Sequence, residues 1–159
     1  MKANSRRKFL AATVPAIAAV PAAAAAQAGA PAQKLEKKAF RQITPTSKTF
    51  NGQQLYSPEL SYGNLVFVSG KGAGVNAAGD ITAQTKNVLD QIEESLKIAG
   101  SSMEKVLKVN VYLTDMKNFD GMNKAYLSRF GTVPPVRTTV AVPDIPDHSL
   151  VEIDCIAYV

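Results

Sequence analysis

Two apolar runs near the C-terminus, V-P-P-V-R-T-T-V and L-V-E-I-D-C-I-A, constrain this chain more than any other stretch. Each alternates with period two, so each reads as a strand showing different side chains to its two faces. Val136 to Val142 forms the first, and Pro134-Pro135 force an extended approach to it. A turn of Pro143, Asp144, Ile145, Pro146 and Asp147 follows, and Ser149 to Val159 forms the second. Arg137, Thr139 and Ala141 share one face of the first strand. Leu150, Glu152, Asp154, Ile156 and Tyr158 share one face of the second. Joined as a simple hairpin, the strands bring Arg137 opposite or diagonal to Glu152 or Asp154. A fixed guanidinium beside a carboxylate suits capture of a small carboxylated substrate, with the acid left to move a proton. Spacing alone does not choose between Glu152 and Asp154.

The other end of the chain reads as an address. Ser5-Arg6-Arg7-Lys8-Phe9-Leu10 is a twin-arginine export signature, followed by an alanine-heavy stretch from Ala11 to Ala26 and A-x-A cleavage choices. Prolines at 15 and 21 and the weak hydrophobicity of alanine argue against a stable membrane span, which needs about 20 strongly apolar residues. Residues 1–28 are therefore expected to be a removable signal and residues 29–38 a flexible leader. Residues 39–159 are expected to be the working domain, released into the periplasm without membrane insertion.

Charge follows from this division. The chain has 18 basic and 13 acidic side chains, a net +5. Lys2, Arg6, Arg7 and Lys8 fall in the export segment and no acid does, so the remainder carries 14 against 13, or +1. A nearly neutral domain lacks the field of a phosphate-backbone binder, and no nucleic-acid partner is expected. Lys34, Lys37, Lys38 and Arg41 read as a solvated arm. The single cysteine, Cys155, rules out an intrachain disulfide and alternates with Val151, Ile153 and Ala157 as a small buried residue. His148, the one histidine, stands in the proline turn with no cluster that would make a metal site. Gly70-Lys71-Gly72-Ala73-Gly74 lacks the G-K-[ST] of a phosphate loop and instead suggests a turn where backbone approaches a ligand.

Between these ends the pattern is that of one α/β domain. Ala39 to Ile43 suggests a strand, and Phe50 to Tyr56, with its Asn51-Gly52 turn, another strand entry. Asn64 to Ser69 is an almost wholly apolar run, expected to be covered on both faces. Thr82 to Ala99 is a helix capped by Asp80 or Thr82 and closed by Gly100. Its apolar stripe is Val88, Leu89, Ile92, Leu96 and Ala99. Val106 to Leu113 alternates, with Leu107, Val109, Val111 and Leu113 on one face, and residues 118–130 form a helix burying Phe119, Met122, Tyr126 and Phe130. The order β-β-β-α-β-α-β-β predicts a mixed six-stranded sheet with both helices on one face. Its other face stays partly apolar, which a second copy of the chain would cover most simply.

Y-S-P-E-L-S-Y-G-N-L-V-F-V-S-G, the helix ending in A-G, F-D-G-M-N-K-A-Y, and P-P-V-R-T-T-V with L-V-E-I-D-C-I-A-Y resemble the RidA (YjgF) family over roughly residues 40 to 159. The most specific part is Arg137 and Glu152, fifteen positions apart. The resemblance implies a chorismate-mutase-like fold, a homotrimer with pockets between subunits, and hydrolysis of small enamine or imine acids to a 2-oxo acid and ammonia. It also implies that no metal or organic cofactor takes part. By position, Arg137 matches the arginine gripping the substrate carboxylate and Glu152 the acid activating water. Tyr56 and Asn123 match pocket residues, Ser69-Gly70 the strand-end backbone facing the ligand, and Thr139 a pocket position often held by cysteine. Relatives commonly follow S-G with Gln and an Ile-Pro pair, whereas Lys71-Gly72-Ala73-Gly74 stands here and reshapes the pocket rim. Two other classes follow from the same residues: a non-catalytic protein binding a small carboxylate, keto acid or partner, and the endoribonuclease of older family naming, which the charge disfavours.

Overall fold

The computed structural model describes residues 35–41, 49–74 and 79–159. The export signature, residues 29–34 of the expected leader and the end of the expected first strand at Ile43 lie outside the described residues. Ten elements follow in order: β1 (Lys37–Ala39), β2 (Thr49–Phe50), β3 (Gln53–Gln54), β4 (Glu59–Tyr62), β5 (Leu65–Gly72), α1 (Ile81–Ile98), β6 (Val106–Leu113), α2 (Phe119–Tyr126), β7 (Val136–Ala141) and β8 (Val151–Tyr158).

A six-stranded mixed sheet is present as predicted, in the order β1-β4-β5-β8-β6-β7, but the strand expected within Phe50 to Tyr56 is not part of it. Instead β2 and β3 form a separate hairpin, and Glu59–Tyr62, not anticipated from the sequence, takes that place. Asn51 and Gly52, at φ 51° and 76°, make the left-handed turn of that hairpin. α1 begins where Asp80 accepts a hydrogen bond from the Ala83 N–H at 3.0 Å, and Gly100 at φ 79° ends it. Its stripe of Val88, Leu89, Ile92, Leu96 and Ala99 is buried against Val66, Val68, Val109, Val111, Ile153 and Cys155 of the sheet. Burial of Val88, Leu89, Ile92 and Leu96 drives the docking of α1, at roughly 1.5–3 kcal/mol each. Thr82 reinforces the helix pair by donating to the Gly121 carbonyl of α2 at 3.2 Å.

Several sequence expectations are corrected. Arg137 and Glu152 are not hairpin neighbours, because β7 pairs in parallel with β6, and β6 lies between β7 and β8. The strand–helix–strand order β6-α2-β7 imposes this, since a helical crossover returns the chain parallel to its first strand. Residues 142–150 then carry the chain past β6 to β8, further than a tight hairpin turn reaches. Lys37 and Lys38 belong to strand β1 rather than to a flexible leader. Arg41 is no solvated arm residue either: its Nε and Nη2 donate to the two oxygens of fully buried Glu59 at 2.7 and 2.9 Å. Leu107 leaves the apolar face because it is the extra residue of a bulge between Val106 and Lys108, and it is 46 % exposed. β5 is covered on the helix side only: Val66 and Val68 are buried, while Leu65 and Phe67 are partly exposed. α2 stops at Tyr126 rather than Phe130, and Ser128 at φ 63° turns the chain out of the helix.

Candidate functional site

The glycine run is not a turn after the strand. β5 continues through Gly72, and its pairing with β8 slips between Val68 and Lys71, so Ser69-Gly70 forms a bulge. Beyond it Gly72 faces Glu152. Glycine at position 70 leaves the Glu152 carboxyl its place, because a Cβ there would overlap the carboxylate, lie 2.8 Å from its Cδ and push the side chain aside. Past the strand, the Ala73 and Gly74 N–H groups donate to buried Ser149 Oγ at 2.6 and 3.2 Å. That ties the glycine segment to the turn preceding β8.

These elements enclose a cleft of about 740 Å³, lined by Tyr56, Ser69, Gly70, Lys71, Gln91, Asp147 and Glu152 among others. Four of the sequence-predicted site residues therefore converge: Tyr56, Ser69, Gly70 and Glu152. Gln91 and Asp147 were missed. Gln91 reaches the cleft from α1, its Nε2 donating to the Gly72 carbonyl at 3.0 Å. Nothing in the sequence marks it, since it stands among polar helix positions. Asp147 sits at φ 62° beside His148 at φ 55°, a left-handed pair that the prolines of this turn only hint at.

The structure separates the two acids that spacing left open. Asp154 is engaged: it accepts from Asn110 Nδ2 at 2.9 Å and from the Tyr112 hydroxyl at 3.2 Å. Glu152, two positions earlier on the same face, lines the cleft, and no hydrogen bond or ion pair with a described residue occupies its carboxyl. Burial, and then the charge of Asp154, push the Glu152 carboxyl above its ordinary pKa. Such a group holds a proton more readily than a surface glutamate and suits proton transfer.

Arg137, Thr139 and Asn123 lie elsewhere. Arg137 is in register with Val109, which faces Cys155, so it occupies the helix side of the sheet, while Glu152, in register with Tyr112, occupies the other side. There the Arg137 guanidinium stands 4.6 Å from the Tyr126 ring centroid and 5.7 Å from that of Phe119, and Nη1 reaches Met122 Sδ at 3.9 Å. No carboxylate of a described residue pairs with it. Thr139 shares this face, its buried hydroxyl without a partner, as is that of Ser69 in the cleft. Asn123 follows Met122 on α2 and is half-buried. Cys155 is buried, and burial pushes its thiol up to about 12, so it stays protonated and unreactive at neutral pH. Among the described residues no three His, Cys, Asp or Glu side chains gather as a metal site.

A six-stranded mixed sheet with two helices places the chain among small α/β proteins, here with a bulged strand backing a carboxyl that pairs with no described residue. Residues 46–159 match the family described as Endoribonuclease L-PSP, and the chain belongs to that family, which includes the RidA and YjgF proteins. A RutC family protein of Pyrococcus horikoshii is 41 % identical over 108 residues, covering 65 % of this chain and 86 % of its own. Reactive Intermediate Deaminase A, chloroplastic, of Arabidopsis thaliana is 30 % identical over 122 residues, 74 % of this chain and 65 % of its own. The crystal structure of RidA from the Antarctic bacterium Psychrobacter sp. PAMC 21119 superimposes with a TM-score of 0.64 at 30 % identity, covering 75 % of this chain and 100 % of its own.

Proposed function

We propose that this chain is an exported, periplasmic hydrolase of small enamine or imine acids, with each working site built between two copies in a homotrimer. The observation that carries this reading is the placement of Glu152 and Arg137. Each is half-buried and forms no ion pair with a described residue, yet they lie on opposite sides of one sheet. Arg137 belongs to an edge strand, so it can be presented to the Glu152 cleft of a neighbouring copy.

In such a site Arg137 takes the substrate carboxylate by a fork of hydrogen bonds, a contact worth roughly 1.5–3 kcal/mol. Glu152 holds a water against the C=N carbon. As the water oxygen adds, Glu152 relays one proton to the nitrogen, giving a carbinolamine. It then relays the new hydroxyl's proton to the same nitrogen as the C–N bond breaks, leaving a 2-oxo acid and ammonia. Tyr56, Ser69 and Gly70 line the cleft around the reacting carbon, and Thr139 and Asn123 accompany Arg137. No cofactor enters this scheme. The deaminase relative at 30 % identity supports the chemistry.

The test is release of ammonia and 2-oxobutanoate from freshly generated 2-iminobutanoate by the purified protein. Retention of 2-oxobutanoate without turnover of the imine would instead identify a carboxylate-binding protein. Arg137→Ala is expected to lower kcat/KM about 10–100-fold through loss of the charge-assisted fork. Full activity in that variant rejects the clamp. Gly70→Ala should leave the fold intact and lower turnover by up to about 10²-fold, because displacing the carboxyl by about 1 Å spoils the attack geometry. Thermal unfolding and initial rates measured on one preparation check both halves of that expectation.

A further inference from the structure

The second helix carries more than core. Phe119, Met122 and Tyr126 recur at helical spacing, so one face of α2 presents two rings and a thioether to β7. Arg137 lands among them, 4.6 Å from the Tyr126 ring centroid, 5.7 Å from that of Phe119 and 3.9 Å from Met122 Sδ. An arginine withdrawn from solvent, even half-buried as here, is ordinarily held by a carboxylate, which fixes the guanidinium but also occupies its fork and cancels its charge. Aromatic faces attract the cation without consuming N–H donors. Of the five N–H groups on Arg137, the one contact seen uses a weak sulfur acceptor.

We propose that Tyr126 and Phe119 are positioning residues, an aromatic seat that fixes the Arg137 guanidinium without a counter-ion and so keeps its fork available for a carboxylate. The seat is itself braced. Phe130, almost fully buried, packs on Tyr126 with ring centroids 4.7 Å apart and planes tilted by 39°. The ring of Tyr126, not its hydroxyl, does this. That hydroxyl is buried without a hydrogen-bond partner, and burial pushes the phenol up to about 12, so it is a neutral passenger. The inference rests on the carboxylate-clamp reading of Arg137 and adds to it the groups that set the clamp's orientation.

Binding of 2-oxobutanoate, followed by NMR titration, tests both in separable ways. Tyr126→Phe should bind as the parent does. Tyr126→Leu should raise Kd, and KM for 2-iminobutanoate, about 5–10-fold with kcat within about two-fold, in line with loss of a cation–π contact. Phe119→Leu, the more distant ring, should raise Kd about two-fold. The Arg137 Nε–Hε resonance should shift when the Tyr126 ring is removed and stay in place in Tyr126→Phe. If Arg137→Ala binds as tightly as the parent, the clamp itself fails. If Arg137→Ala loses binding while Tyr126→Leu keeps parental affinity and an unshifted resonance, only the seat is overturned. Should Tyr126→Leu not fold, the decision passes to Phe119→Leu, where unchanged Kd and an unmoved Arg137 resonance overturn it.

Discussion

Replacing Glu152 by Gln is expected to lower turnover of 2-iminobutanoate by about 10²–10⁴, the usual contribution of a positioned acid–base group. Affinity for 2-oxobutanoate should change little, because the amide fills the same volume over Gly70. The sharper form of the test mixes chains. Arg137→Ala and Glu152→Gln copies, unfolded and refolded together, should regain activity that neither has alone, since one of the hybrid sites then holds both native groups. No recovery would overturn the shared site, which is proposed because Arg137 and Glu152 face opposite sides of one sheet. A pH profile adds a direction. Water is activated by the ionised carboxylate, so the rate falls as pH drops through the Glu152 pKa. Burial, and secondarily the charge of Asp154, raise that pKa. The acid limb should therefore lie above the ordinary glutamate range and move to lower pH in Asp154→Asn. Initial rates across the acid limb settle it, and an unmoved limb in that variant removes Asp154 as a cause.

Elements whose pattern is local were legible in the sequence. The stripe of Val88, Leu89, Ile92 and Leu96 and a cap at Asp80 or Thr82, of which the structure selects Asp80, defined α1 to within a residue, because helix periodicity and capping need no partner. The Asn51-Gly52 turn was equally plain, but the segment around it was expected as one strand of the main sheet and is a separate hairpin. Long-range pairing was the failure. The period-two faces of the Arg137 and Glu152 strands were read correctly, but their adjacency was assumed from sequence proximity. The helix between β6 and β7 carried the opposite message. Bulges escaped for a related reason: one extra residue at Leu107, and another at Ser69-Gly70, reverses alternation locally, and period counting has no means to see it. The choice between Glu152 and Asp154 turned on partners from another strand, Asn110 and Tyr112. Likewise the rings beneath Arg137 read as core from their spacing, and only the placement of β7 over α2 reveals what they hold.

Arg41 is a part-exposed residue whose loss should nevertheless cost substantial stability. Glu59 is 0 % exposed, on the helix side of β4 and in register with Val68, so its carboxylate lies beneath α1. Arg41 meets it with two hydrogen bonds of 2.7 and 2.9 Å, adds a third to Ser95 Oγ at 3.1 Å, and touches Glu94 at 3.5 Å. Removing the arginine strands a buried charge, whereas removing both partners does not. Arg41→Ala is thus expected to cost about 2–3 kcal/mol, below the usual range for a fully buried pair because the arginine side is 38 % exposed. Arg41→Met with Glu59→Leu should recover most of that loss, which a surface pair would not require. Urea unfolding of the parent, Arg41→Ala and the double variant at neutral pH gives the comparison. A loss under about 0.5 kcal/mol in Arg41→Ala would make the pair an ordinary screened contact. The position of the latch also predicts where loosening is felt first. The Ser69 N–H donates to the Pro58 carbonyl at 2.9 Å, so strain released at Glu59 passes in one residue to the backbone that frames Glu152. Amide exchange at Ser69 and Gly70 should therefore accelerate in Arg41→Ala before exchange in the centre of α1 does.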